Sequence, residues 1–125
     1  MKVSEMPAGR ELDALVAVRV MGWTLCNRVA MGWGDGPPVF ATGEDPYDDT
    51  ARPSRQDWRP SENITAAWEV VEKMAACHPS LHRYVLPDLW RCVMNVNRHA
   101  VSAMALTGQL AICRAALLAV GITDV

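Results

Sequence analysis

Between Ile64 and Val96 the apolar pattern of the chain changes period, and that change restricts the fold more than any other feature. Ile64, Ala67, Trp68, Val71 and Met74 are spaced as one face of a helix. Glu69 and Lys73 stand four apart in the order that favours a helical ion pair, and Ser61 or Asn63 is suited to cap the start. From Leu89 to Val96 the spacing becomes two. Trp90, Cys92, Met94 and Val96 alternate with Leu89, Arg91, Val93 and Asn95, as in a half-buried strand. A weaker strand is expected over 81–86, with Pro87 and Asp88 as the hairpin turn. An isolated hairpin is marginal in water, so this one has to be covered.

The cover is expected from helices on either side of it in the sequence. Leu12, Leu15, Val16 and Val20 mark one face of a helix over 10–21, which Gly22 is placed to stop in the left-handed conformation. A last helix runs from Thr107 or Gly108 to Gly121. Its sides are apolar except at Gln109 and Arg114, so it is either buried centrally or shared with another subunit. On these spacings Trp68 and Trp90 point inward and Trp23 follows a helix stop. Residues 32–60 are rich in Gly and Pro and read as a long loop with one short strand near Val39 to Ala41. The expected fold is one domain over 1–125, α/β in the α+β sense, with helices packed on a small antiparallel sheet.

Composition narrows the classes of function. With 21% charged residues and a net charge of −2, the chain lacks the basic footprint of a double-stranded nucleic-acid binder. The apolar run from Leu110 to Val120 is interrupted by Arg114 and is shorter than the ~20 residues that a membrane crossing needs. The first apolar run, Ala14 to Val18, stops at Arg19, which does not fit a secretory signal. These features lead us to expect an intracellular protein, without a membrane partner and with reduced cysteines at Cys26, Cys77, Cys92 and Cys113.

Three blocks carry a family resemblance. Glu11 to Ala17 with Val20-Met21-Gly22-Trp23, then Ala66 to Met74, then Leu110 to Leu117 resemble the phage ABA sandwich domain family, small proteins of tailed phages and prophages. The blocks occur in order over nearly the whole chain. The resemblance implies a three-layer α/β/α sandwich and a phage accessory protein of the host cytoplasm, with no established catalytic residues. Val18 and Arg19 depart from the charged pair expected before Met-Gly-Trp, and the loop from Gly34 to Pro60 is unusually rich in Asp and Arg.

Candidate chemistry is sparse. Cys77, His78 and His82, with Cys92 and His99 near them in sequence, are soft metal ligands, but no close Cys pair announces a zinc site, and His78 equally suits a helix C-terminus. Glu44, Asp45, Asp48 and Asp49 match no calcium loop and read as solvated charge. No nucleophile elbow, phosphate loop, zinc-protease motif or dinucleotide fingerprint is present, so neither catalytic residues nor a cofactor are expected.

Arginine is the distinctive basic residue: ten of the twelve basic side chains are Arg. A GC-rich genome explains such a bias without any site. The functional alternative uses Arg52, Arg55 and Arg59 as planar forks for phosphate, and Trp58 or Trp33 as a surface on which a base stacks. On that reading the protein is a sponge for a nucleotide-derived host immune signal, with pocket walls from a homo-oligomer built on the last helix. The competing readings are a modulator of a host protein and an enzyme that degrades such a signal.

Overall fold

The computed structural model describes residues 1–26, 39–41, 54–56, 58–85 and 88–124, and in the three short segments Thr24–Cys26, Val39–Ala41 and Ser54–Gln56 it describes the backbone. Three helices and a three-stranded antiparallel sheet form the body, a small α+β fold as the periodicities require. The helices are α1 (Arg10–Arg19), α2 (Ile64–Lys73) and α3 (Gly108–Ala119). Thr24–Cys26 (β1), Val39–Ala41 (β2) and Ser54–Gln56 (β3) pair as a second antiparallel sheet, in the order β1-β2-β3. The segment expected as loop over 32–60 therefore contains two strands, of which only Val39–Ala41 was legible.

The main sheet consists of β4 (Ser80–Tyr84), β5 (Leu89–Val96) and β6 (His99–Ala105), in that order. Leu81, Cys92 and Ala103 make one cross-strand rung, and Trp90 and Ala105 lie on the next rung of the same face. Cys92, Met94, Ala103 and Ala105 are buried, which makes this the core face. β6 is a strand that the sequence does not announce. It is rich in Ala, and its turn is Asn97-Arg98, with both residues at positive φ (49° and 68°). Hairpins favour two such residues because their twist matches that of the strands, but the usual marker is Asn-Gly rather than Asn-Arg.

Helix α3 lies directly on β5 and β6 and also meets α1 and α2. Ala111, Ile112, Cys113, Ala115, Ala116 and Leu117 are all 0% exposed. Burial within one chain thus accounts for the all-round apolar character of α3, and sharing it with another subunit is not what buries it. Its first residue, Gly108, permits close approach to the sheet, because a Cβ there would come 3.2 Å from Leu81 Cδ2. Thr107 Oγ1 accepts a hydrogen bond from Leu110 N at 3.3 Å, and Gly121, at φ 91°, ends the helix.

Arg114, the charged interruption of α3, is a structural fork. Its Nε and Nη2 donate to Met6 O at 3.0 and 2.7 Å, and Nη1 donates to Met104 O at 2.9 Å. Arginine's planar donor array suits two carbonyls from distant parts of the chain better than a lysine would. Partial burial lowers its pKa, without threatening its charge.

Helix α2 is capped by Asn63, whose Oδ1 accepts from Thr65 N at 2.9 Å and Ala66 N at 3.2 Å. Asn63→Ala is expected to lower stability by about 1 kcal/mol, read as a shift of the urea midpoint with an unchanged slope. A variant as stable as the wild type would show that the cap contributes nothing.

Candidate functional site

The residues that enter α2 form a buried polar seam. Asp13, 3% exposed on α1, accepts from Ser61 N through Oδ1 at 2.8 Å, and Ser61 Oγ accepts from Gly9 N at 3.1 Å. Ser61 is therefore a tie between α1 and the approach to α2, and Asn63 does the capping. Asp13 Oδ2 is buried with no hydrogen-bond partner. Desolvation raises the Asp13 pKa, against the lowering effect of the bonds from Ser61.

Beside this seam Trp58 is 4% exposed, and its ring centroid lies 4.6 Å from that of Trp23 in a tilted pair. Such aromatic pairs add stability beyond the area they bury. Trp58 is thus a core residue, which corrects the expectation that it offers an indole face to a ligand. Arg59, by contrast, is solvent-exposed, with Nη1 3.7 Å from Glu62 Oε2. Arg55 sits on β3, paired opposite Phe40 of β2. Trp33, Arg52 and the carboxylates Glu44, Asp45, Asp48 and Asp49 lie outside the described residues. Of the five expected ligand residues, the structure describes the side chains of Trp58 and Arg59, the first in the core and the second at the surface.

The unexpected surface is on α2 itself. Its buried side is Ala66, Ala67 and Val70, continued by Met74, while Ile64 is 48% and Trp68 54% exposed. This overturns the inward placement of Trp68. Six of the ten residues of α2 are apolar, so more than one arc fits a helical period. The arc that faces α3 is the one with the small alanines, which let the two helices approach closely; an indole there would hold them apart.

Trp68 forms a wall between two hollows. On one side a shallow depression of about 310 Å³ is lined by Ile64, Thr65, Trp68, Glu69 and Glu72. On the other a narrow cleft of about 50 Å³ runs between α2 and β4, where Trp68 and Val71 face Pro79, Ser80 and Leu81, with Cys92 and Ile112 at its base. A large exposed aromatic between two depressions is the arrangement in which interface residues of high energetic weight occur.

The family model for the phage ABA sandwich domain matches residues 14–117. The chain belongs to the phage ABA sandwich domain family. That places it among phage accessory proteins. A crystal structure at 2.0 Å of a phage protein from Bacillus cereus ATCC 14579 is similar, with 24% identity and a TM-score of 0.68; the match covers 90% of this chain and 87% of that one. At that identity the likeness concerns the fold. No curated protein matches the sequence.

In this phage ABA sandwich protein the soft metal ligands are separated. Cys92 lies on the core face of the sheet, 1% exposed, whereas His82 pairs with Arg91 on the opposite face and its Nε2 is 3.2 Å from Ser80 Oγ. His78 occupies the left-handed position (φ 48°) that ends the short 3-10 turn Ala75–Cys77 after α2. Among the described residues no three His, Cys, Asp or Glu side chains are grouped to hold a metal ion. Burial pushes the Cys92 thiol up to about 11 and raises that of Cys113 as well, so both stay protonated and poorly nucleophilic near neutral pH. No described helix is long and apolar enough to cross a membrane.

Proposed function

We propose that this phage accessory protein works by occupancy rather than catalysis, in the host cytoplasm, and that its target is a protein seated on the outer face of α2. One observation carries the reading: Ile64 and Trp68 are half exposed on a helix whose packing against the core is already complete through Ala66, Ala67, Val70 and Met74. Large apolar side chains left half exposed beside a packed core, grouped on one face and bordered by polar residues, are characteristic of interaction surfaces.

The sponge for a nucleotide-derived immune signal is the second reading. It keeps the exposed Arg59 near the start of α2, and it has lost the indole of Trp58 to the core. One experiment separates the readings. Tagged wild-type protein and Trp68→Ala are incubated with host extract, cyclic oligonucleotides and NAD-derived signals, then washed and denatured for analysis of bound proteins and small molecules. The expected result is a host protein retained by the wild type and at least roughly tenfold depleted on Trp68→Ala, with no nucleotide released. Intact nucleotide released equally from both would replace this reading with the sponge. Conversion of a nucleotide would replace it with an enzyme.

A further inference from the structure

We propose that the Ile64, Trp68, Glu72 row of α2 seats a basic amphipathic helix of the protein partner. The inference rests on the protein-partner reading above and adds the shape and charge of what binds. These three residues are four apart, so they form one of the oblique ridges that a helix presents to a neighbouring helix. The ridge is half open to solvent: Ile64 is 48% and Trp68 54% exposed, and Glu72 is exposed beyond them. Hollows lie on both of its sides, the depression of about 310 Å³ and the narrower cleft toward Pro79 and Leu81. A ridge between two grooves is what a second helix needs in order to interdigitate; a flat or extended ligand would use one side of Trp68 only.

The charge follows from the lining. Two carboxylates, Glu69 and Glu72, and no basic side chain line the larger hollow. Glu72 is one helical turn beyond Trp68, so a Lys or Arg from the partner can rest on the indole face and reach the Glu72 carboxylate. The ring quadrupole attracts a cation, and the carboxylate adds direction and sign selectivity. An acidic helix of the same apolar pattern would meet like charge there, which is the means by which an interface rejects a wrong partner.

The test uses two labelled eighteen-residue peptides with the same leucine stripe, one carrying Lys and the other Glu on its polar positions, titrated by fluorescence anisotropy into the full chain. The Lys peptide is expected to bind at least roughly tenfold tighter than its Glu twin. Glu72→Lys should remove that preference, and Trp68→Ala should weaken the Lys peptide by a similar factor. Both positions are exposed, and matching circular dichroism and thermal midpoints verify that the variants are folded. Equal binding of the two peptides, lost in Trp68→Ala, would overturn the charge selectivity while leaving the protein-docking surface in place. Binding indifferent to Trp68→Ala, or no binding of either peptide, would overturn the helix seat itself.

Discussion

Leu117→Ala is expected to lower the unfolding free energy by about 2–5 kcal/mol, a large share of the roughly 5–15 kcal/mol that holds a domain of this kind folded. Leu117 is 0% exposed on α3, the helix that lies on β5 and β6 and meets both α1 and α2. Truncation removes buried methyl groups and leaves a void among elements that are already in contact, so relaxation into the void is restricted. Leu106→Ala provides the contrast. That leucine is 77% exposed, and its loss should change stability by no more than about 0.5 kcal/mol. Urea unfolding of the two variants decides the matter. Similar small losses would mean that α3 is not the centre of the core.

The second large effect concerns Asp13 and depends on pH. The folded protein raises the Asp13 pKa above its ordinary value of 3.8, chiefly by desolvation. It therefore holds the proton to higher pH than the unfolded chain does. The stabilisation from this group is complete below the ordinary carboxylate value and is lost as the pH rises through the raised one. Asp13→Asn retains an oxygen to accept from Ser61 N and removes the charge. Its stability should be flatter with pH than that of the wild type and should gain on it toward neutrality. Asp13→Leu leaves the Ser61 N–H buried without its acceptor and should lose about 1–3 kcal/mol. Parallel pH profiles for the wild type and Asp13→Asn would show that Asp13 is not the group that titrates.

Much of the architecture was legible because it follows from period and punctuation. The residues that set α1, α2, α3 and β5 repeat at the correct spacing, and Gly22, at φ 74°, adopts the left-handed conformation expected where α1 ends. What was not legible has physical causes. β6 follows a turn closed by Arg98 where glycine is usual, and its alanines carry little strand preference. The short sheet β1-β2-β3 pairs segments that are distant in sequence, and local pattern does not report such pairing. The burial of Trp58 depends on its meeting Trp23, a contact between residues 35 positions apart. The outward turn of Trp68 was hidden for a different reason. A helix apolar on several sides does not reveal which arc the core will accept, and here the choice was made by the size of Ala66 and Ala67 rather than by hydrophobicity. The same ambiguity leaves a tryptophan half exposed on the outer face of α2.

The thiols of Cys92 and Cys113 sit in the seam between β5 and α3, at 1% and 0% exposure. A reagent or oxidant reaches Cys113 only when the helix and the sheet part, whereas Cys77, half-buried after α2, is open to partial attack in the intact fold. Chemical ageing of the central thiols is therefore coupled to folding stability: where the seam recloses faster than a reagent attacks, their damage scales with the fraction of time the seam is open, whereas Cys77 is modified without any opening.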